Sequence, residues 1–253
     1  MLYACRGSTG RLTAALMAAA LLTACANVQA SGQPARHSSP VAARSAMPAS
    51  TRAIEPLPAP LFDPSIDLRA GPVDVPLELR LPSLRLTAPV LGVGLNSKNV
   101  MDTPMGSAKD SIWQKVFWYR GGGIPGDATT ATIAGHVDDV LGRPAIFARL
   151  KDLRPGDAVV VHDARTGLDV DFLVTKIVSY TLQQTLDPAV LAQIYGSGPV
   201  AGQGPQPSSD SLTHLTLITC TGNWVTRMGT FDHRLAVYAV GIPSAPTPDR
   251  SRS

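Results

Sequence analysis

The chain has 253 residues, of which 44% are hydrophobic and 16% charged, a balance typical of a globular protein and not of a disordered one. The formal net charge is only +3, and the lysines and arginines form no cluster, so the composition argues against a nucleic-acid partner. Once the two ends described below are set aside, about 170 residues remain, an ordinary size for one domain with a buried core.

The first 24 residues have the pattern of a bacterial export signal. Two arginines precede an apolar run over 12–24, which is too short to span a membrane but suits the h-region of a secretory signal. The run ends in Leu-Thr-Ala-Cys, which resembles a lipobox, so residues 1–24 are predicted to be a lipoprotein signal peptide and Cys25 to carry the lipid. An ordinary signal peptide cut after Ala30 is the alternative. Both interpretations predict export from the cytoplasm, and the first adds a membrane anchor on the extracytoplasmic face.

Residues 25–74 are predicted to be a disordered linker rich in proline, alanine and serine. Seven prolines between positions 34 and 64 interrupt any regular element, and no apolar repeat of period 2 or 3.6 is present. Such a tether would hold the folded domain, predicted at 75–242, away from the lipid surface. The tail, 243–253, is predicted to be disordered as well.

The folded part is predicted to consist mostly of short strands. Alternating or β-branched apolar runs predict strands at 77–81, 84–86, 129–134, 158–161, 170–178, 215–220 and 235–240. Helical signals are few: a short turn at 145–150, and a helix capped by Asp187 that has Pro188 in its first position and continues to Tyr195. Short strands separated by Gly/Pro turns favour a mostly β protein that forms a closed or nearly closed barrel.

One segment, 196–209, has no apolar pattern and directly precedes the strand that carries Cys220. A flexible loop beside a reactive residue often carries binding specificity. The alternative is a tolerated surface insertion, and the sequence does not decide between the two.

The positions of the cysteines predict that Cys220 is a reactive thiol. Cys5 lies in the export signal and Cys25 at its end, so Cys220 is the single cysteine of the predicted domain and has no internal disulfide partner. An isolated cysteine is usually a buried apolar residue. Cys220, however, ends a predicted strand and is followed by Thr221 and Gly222, where the chain turns out to solvent and a substrate can reach the thiol.

An arginine is expected beside this cysteine. Arg234 opens the last predicted strand after 13 loop residues, 221–233. If the two strands pair antiparallel, Cys220 and Arg234 lie side by side at one rim. A guanidinium there either lowers the thiol pKa or donates to the oxyanion formed when a thiolate attacks a carbonyl. Arg227 is the only rival for this role, and it lies in the middle of the predicted loop.

A nucleophilic cysteine also needs an acid that protonates the leaving amine, and histidine is the usual one. His136 fits best among the five histidines, because it follows Gly135 at a predicted strand end, where a bend would expose its ring. The other four fit less well. His37 lies in the linker, and His162 is expected at a solvated strand edge. His214 lies roughly 20 Å from Cys220 along the same strand, and His233 would point away from the site.

Four phrases of the chain together resemble the sortase family. They are IAGHVD around His136, FARLKDLRPGDAVVV after it, TLITC ending at Cys220, and an arginine that opens the final strand. The likeness extends from about Leu79 to Val240 and is greatest to the class E and class F members common in high-GC Gram-positive bacteria. It implies a closed eight-stranded sortase-type β-barrel with a few short helices.

The resemblance also implies an activity. In such an enzyme the thiolate of Cys220 attacks an LPxTG-like sorting signal between threonine and glycine, a thioacyl-enzyme forms, and an amine resolves it. His136 and Arg234 would assist, and Thr219 would line the substrate groove, although a plain strand-forming role is the alternative. The implied partners are surface proteins bearing the sorting signal and an amine acceptor on the cell wall or a pilin. No cofactor is implied, and no cluster of acidic residues suggests a calcium or other metal site.

The chain departs from most sortases in two ways. Most sortases are anchored by a spanning N-terminal helix, whereas this chain carries a lipobox, and the segment 196–209 falls where sortases often recognise the sorting signal.

A non-catalytic peptide-binding surface lipoprotein with the same barrel is one alternative to the sortase function, although the retained cysteine, histidine and arginine argue against it. An L,D-transpeptidase acting on peptidoglycan is the other; its usual Ser-x-Gly-Cys-x-Arg pattern is not met around Cys220.

Overall fold

The part of the chain that carries the predicted domain is seen in a computed structural model, which describes Leu61, Asp63 and residues 66–242. The predictions for the export signal, for lipidation of Cys25, for the tail and for most of the linker therefore lie outside the described residues. Among those that are described, no helix has the length and apolar character that crossing a membrane requires.

Eight strands close into a barrel, so the predicted mostly β fold is confirmed. The strands follow one another around the barrel in the order β1-β2-β3-β4-β7-β8-β6-β5, and β5 pairs back onto β1. The pairs β2–β3 and β4–β7 are parallel and all others are antiparallel. The strands are β1 Val73–Leu81, β2 Leu86–Val93, β3 Val116–Tyr119, β4 Thr130–Gly135, β5 Ala158–Asp163, β6 Leu168–Thr181, β7 His214–Val225 and β8 Thr230–Gly241.

The helices of the described residues are short. Two are α-helical, α1 (Pro188–Tyr195) and α2 (Ser197–Val200). The start of α1 is as predicted, because the Asp187 carboxylate accepts a hydrogen bond of 2.8 Å from the Ala189 amide and Pro188 occupies the first turn. The remaining helices are single 3₁₀ turns, at Pro82–Leu84, Ser111–Gln114, Leu150–Asp152, Gln184–Leu186 and Thr226–Met228.

Outside the candidate site, the structure differs from the predicted local structure at several places. The strand expected at 84–86 is instead a reversal, because Leu84 ends a 3₁₀ turn and Arg85 adopts a left-handed conformation with φ of 51° before β2 begins. Strand β3 was missed, since all four of its residues are buried and its sequence therefore shows no alternation. The segment 196–209 is not wholly irregular, because it contains α2.

The barrel interior is a packed apolar core. Inward-facing residues of β1 alternate with outward ones, as the sequence pattern predicted. The largest of its side chains that are less than 2% exposed include Leu79, Leu81, Trp118, Ile133, Phe147, Phe172, Leu215 and Leu217. Burying one such side chain contributes about 2 kcal/mol, so the core gives the strands that end at the candidate site a rigid base.

Candidate active site

The parallel pairing of β4 with β7 brings two of the predicted site residues to the same end of the barrel. Ala134 of β4 lies opposite Ile218 of β7 in this pair. Because the two strands have the same direction, His136 and Cys220 each follow that pair by two residues. An antiparallel pairing would have sent them to opposite ends.

Cys220 and Arg234 are direct cross-strand partners on β7 and β8, so their predicted juxtaposition is confirmed. Residues opposite each other in an antiparallel pair have their side chains on the same face, with Cβ atoms about 5 Å apart. The guanidinium and the thiol therefore face the same space.

The loop predicted at 221–233 was wrong, because both strands continue past the site as a hairpin. Strand β7 reaches Val225 and β8 begins at Thr230, with only a register shift between Thr221 and Trp224. Trp224 lies opposite Phe231, and their rings pack edge to face with centroids 5.5 Å apart. Such cross-strand aromatic pairs contribute about 1 kcal/mol, which helps the hairpin extend where the sequence suggested a loop.

A cavity of about 900 Å³ opens at this end of the barrel and brings the predicted residues together. Its lining includes Cys220, His136, Arg234 and Thr219. Apolar side chains cover one part of its wall. They come from the β2–β3 connection, the 3₁₀ turn at Gln184–Leu186, α1 and β7: Val100, Met101, Met105, Leu186, Leu191, Ile194 and Ile218. A cleft of this size with a few convergent polar groups is typical of a binding site for a small molecule or a peptide segment.

His136 is held by a carbonyl and by two aromatic rings. Its Nε2 lies 2.9 Å from the Pro104 carbonyl oxygen, and its ring packs against Trp113 and Phe117 with centroid distances of 4.8 Å and 5.4 Å. A carbonyl oxygen only accepts hydrogen bonds, so Nε2 carries the proton in this contact. The nitrogen left to exchange a proton with a substrate is Nδ1.

The sequence analysis expected Gly135 to permit a bend that exposes the His136 ring. Gly135 has no positive φ, so its backbone conformation does not require glycine. Glycine is needed here because a side chain would have no room. A Cβ atom at this position would lie 2.5 Å from Cδ2 of the Phe147 ring, so a side chain here would displace the strand end that carries His136.

Arg234 is fixed by three acceptors at the start of β8. Its Nη1 donates to the carbonyl oxygens of Phe231 and His233, at 3.0 and 2.9 Å, and its Nη2 donates to the Thr230 hydroxyl at 3.0 Å. A guanidinium has five N–H donors, so two, one on Nη2 and one on Nε, remain for a ligand. The planar group is thereby oriented before any substrate arrives.

The surroundings of Cys220 favour the neutral thiol over the thiolate. Burial has the largest effect and raises the pKa of Cys220, and the negative charge of Asp138 raises it further. The positive charge of Arg234 and a hydrogen bond from Thr230 lower that pKa but do not outweigh burial. Of the two roles the sequence allowed for Arg234, this favours donation to an oxyanion over maintenance of a resting thiolate.

Thr219 has a structural contact in addition to its place on the cavity wall. Its hydroxyl donates a 2.8 Å hydrogen bond to the Gly135 carbonyl, and the residue is only 5% exposed. This bond ties β7 to the residue that precedes His136. Contact between Thr219 and a substrate stays a prediction.

The residues set aside in the sequence lie away from this cavity. Arg227 is exposed in the turn that closes the β7–β8 hairpin. The three described histidines other than His136 each bond an aspartate outside the cavity, namely His162 to Asp169, His214 to Asp210 and His233 to Asp232. His37 lies outside the described residues. Within residues 66–242, no group of three or more His, Cys, Asp or Glu side chains is arranged to hold a metal ion.

Sequence reasoning missed several residues around this site. Thr230 contacts both the thiol and Arg234, but it lies in the segment 221–233 that the sequence predicts to be a loop, so no sequence signal marks it. Asp138 stands in the phrase around His136, and burial followed by the neighbouring charge of Asp139 raises its own pKa. Trp113 and Pro104 reach His136 from the β2–β3 connection, which carries no motif.

We expect the Thr230 hydroxyl to lower the pKa of the Cys220 thiol, and variants of Thr230 test this without a substrate. In Thr230→Val the shape is kept but the hydroxyl is lost, so the pKa of Cys220 should rise. A hydrogen bond to a charged group contributes about 1.5 kcal/mol or more, so alkylation by iodoacetamide near neutral pH should slow about tenfold. Thr230→Ser retains a hydroxyl and should stay near wild type. Equal alkylation rates for valine and serine variants would show that the hydroxyl does not act on the thiol.

Comparisons with known proteins identify the family of this fold. The family model described as the sortase domain matches residues 79–241. No curated protein matches the chain in sequence. Among solved structures, a lid mutant of sortase A from Corynebacterium diphtheriae is 20% identical with a TM-score of 0.44, covering 70% of this chain and 75% of that one. Sortase C-1 from Actinomyces oris is 21% identical with a TM-score of 0.43, covering 66% and 73%. The family model spans well over half of the 253 residues, and the chain therefore belongs to the sortase family.

Proposed function

We propose that this protein is an exported cysteine transpeptidase that cleaves a sorting-signal peptide and joins it to an amine. The observation that carries the proposal is the convergence of Cys220, His136 and Arg234 on one cavity. The three lie on β7, after β4 and on β8, and the barrel register that joins them is fixed by the strand pairing. A half-buried thiol beside an arginine and a histidine fits acyl transfer better than a purely structural cysteine.

The chemistry proceeds in two acyl transfers. In the first, Sγ of Cys220 attacks the carbonyl carbon of the scissile peptide bond, the C–N bond breaks, and the amine leaves with a proton from His136. A thioester on Cys220 remains. In the second, an acceptor amine attacks that carbonyl, its proton passes to His136, and the C–S bond breaks. A new amide forms, and the site returns to its starting state.

The two assisting residues are proposed to have different roles. Arg234 has two N–H donors left after its three contacts with β8, and these suit the oxyanion of each tetrahedral intermediate. His136 exchanges protons through Nδ1, because Nε2 is bound to the Pro104 carbonyl. The Cys220 thiol loses its proton when it attacks, and His136 is the base that lines the same cavity.

The proposed substrate is an LPxTG-like peptide cut between threonine and glycine. The apolar part of the cavity wall, with Leu186, Leu191 and Ile194 among its residues, suits the apolar side chain of such a signal. The acceptor amine would belong to the cell wall or a pilin. The closest class is proposed to be E or F, on the motifs around His136 and Cys220.

The experiment is incubation of the full-length protein with a set of LPxTG-like peptides, with and without a primary amine, followed by mass spectrometry. Transpeptidation predicts an amide between the N-terminal peptide fragment and the amine, and slow hydrolysis of the same bond without amine. A peptide that binds but is neither cut nor joined would favour the non-catalytic binding protein instead.

Anchoring through Cys25 is a further part of the proposal. Replacement of Cys25 by serine removes the acceptor for the lipid, so the protein should move from the membrane to the soluble fraction or accumulate as an uncleaved precursor. The acyl modification should disappear from the N-terminal peptide. Recovery of a mature N-terminus at Ser31 from wild-type cells would instead support the ordinary signal peptide.

A further inference from the structure

A buried arginine binds the segment of chain that leads into the barrel. Arg120, which follows β3, is only 5% exposed. Its guanidinium donates to three backbone carbonyl oxygens, those of Ile66 at 3.3 Å, Asp67 at 3.2 Å and Ala70 at 3.3 Å. We call residues 66–70 the N-terminal strap.

The same strap is bonded to the chain that leaves β2. The Leu95 amide donates a 2.7 Å hydrogen bond to the Leu68 carbonyl. The contact is so close that a Cβ atom on Gly94 would lie 1.6 Å from the Leu68 oxygen, so only glycine fits at that position. Farther out, Arg69 Nη2 donates to Asn99 Oδ1 at 2.6 Å.

This chain, residues 94–105, is a loop that forms part of the catalytic cavity, and we call it the cavity loop. Its base is closed by a hydrogen bond from the Asp102 amide to the Gly94 carbonyl, 2.9 Å, and by a β-bridge between Leu95 and Met101. Five of its residues line the cavity beside Cys220 and His136: Asn96, Val100, Met101, Thr103 and Met105. The strap and the cavity loop thus share one hydrogen-bonded base.

The C-terminal end of the cavity loop contacts His136. Pro104, two residues after the closed base, presents the carbonyl that bonds His136 Nε2. That bond decides which ring nitrogen carries the fixed proton and which one faces proton exchange. A shift of the loop base would therefore change the orientation and tautomer of His136.

The burial of Arg120 needs a reason beyond filling space. A buried guanidinium is costly unless it is paired, and an apolar side chain would fill the same volume more favourably. Its Nε is buried and has no hydrogen-bond partner among the described residues. Among the described residues, the three strap carbonyls and the nearby charge of Asp67 compensate for this burial.

We propose that Arg120 is a positioning residue for His136, acting through the N-terminal strap and the cavity loop. It touches neither substrate nor the reacting atoms; it holds the strap, the strap holds the base of the cavity loop, and the loop holds Pro104 against the ring. The proposal rests on the proposed role of His136. It also means that the segment entering the barrel from the N-terminal side is part of the active-site support.

The test compares Arg120→Met with Arg154→Met in the full-length protein. Arg154 is the matched control, because its guanidinium also donates to backbone carbonyls, of Leu153 and Lys151, but it is exposed and does not line the cavity. The main readouts are the ¹⁵N signals of the His136 ring, assigned with His136→Gln, and hydrogen exchange of the Leu95 and Asp102 amides. Neither requires turnover, so they remain informative if no sorting-signal peptide is cleaved.

Arg120→Met should change the His136 ring from the Nε2–H form to a mixture of tautomers, and the two amides should exchange at least about tenfold faster. With a substrate, kcat should fall about tenfold while KM changes little, a size typical of coupling through an intermediate segment. Arg154→Met should leave all of these at wild-type values. Arg120→Lys should restore little, since one ammonium cannot reproduce the planar fork.

Two results would overturn the proposal. If amide exchange accelerates in Arg120→Met but the His136 ring signals and kcat stay at wild-type values, the strap only stabilises the barrel. If Arg120→Met does not fold, Arg69→Ala provides the decision, because Arg69 is exposed and its loss removes only the outer link to Asn99. Faster exchange at Leu95 and a small change in the His136 signals are then expected, and unchanged signals at both would reject the coupling.

Discussion

Replacement of Cys220 by alanine is expected to abolish both peptide cleavage and amide formation while the barrel stays folded. Cys220 is the only cysteine of the described residues, and it faces Arg234 across the β7–β8 pair in the cavity that also holds His136. Without the sulfur no thioester can form, and turnover should fall below about a thousandth of the wild-type rate. The side chain is only half-buried and loses a single atom, so the urea midpoint of unfolding should change little.

The control for this variant is Cys25→Ser, which removes the other cysteine sulfur predicted in the mature chain, far in sequence from the strand that carries Cys220. It should retain peptide cleavage when assayed in detergent. Residual turnover of Cys220→Ala well above a thousandth of wild type, with Cys25→Ser unaffected, would reject Cys220 as the nucleophile.

Replacement of Arg234 by alanine is expected to lower kcat by roughly 10²–10³-fold, with a smaller effect on KM, because the lost donors bind the oxyanion and not the ground state. The same change removes a positive charge that lowers the pKa of Cys220, so that pKa should rise further and alkylation near neutral pH should slow. Arg234→Lys should rescue poorly, because a single ammonium cannot satisfy Phe231, His233 and Thr230 and still present donors to a substrate.

Arg227→Ala is the matched control, since it removes the same side chain from the exposed end of the same hairpin. It should change kcat and the alkylation rate by less than about twofold. If Arg227→Ala were as damaging as Arg234→Ala, the cross-strand argument that assigns the oxyanion to Arg234 would fail.

The parts of the fold that the sequence predicted well are those with a local signal. Alternation identified β1, β-branched runs identified β4 and β5, and Asp187 with Pro188 identified the start of α1. Strand β3 gave no such signal, because Val-Phe-Trp-Tyr is buried on both faces and does not alternate. The β7–β8 hairpin beyond Cys220 was missed because Gly222 and Asn223 read as a loop, whereas the cross-strand rings of Trp224 and Phe231 hold the strands together.

The sequence predicted the site contacts between strands that are consecutive in the chain. It did not predict the contacts between strands that are distant in sequence. The pairing of Cys220 with Arg234 followed from two consecutive strands. The approach of His136 depends on the parallel pairing of β4 with β7, two strands separated by β5 and β6 in sequence, and no local pattern reveals such a pairing. Pro104 and Thr230 act through a carbonyl and a single hydroxyl, which leave no recognisable motif.

The most direct test of the account is the mass of the enzyme during turnover. Full-length protein mixed with a cleavable LPxTG-like peptide in the absence of amine should gain the mass of the N-terminal peptide fragment minus water. Peptide mapping should place that addition on Cys220, and hydroxylamine should release it, as expected of a thioester. His136→Gln should slow its appearance. A peptide that is cleaved with no adduct on Cys220, or with the adduct on another residue, would contradict acyl transfer through this thiol.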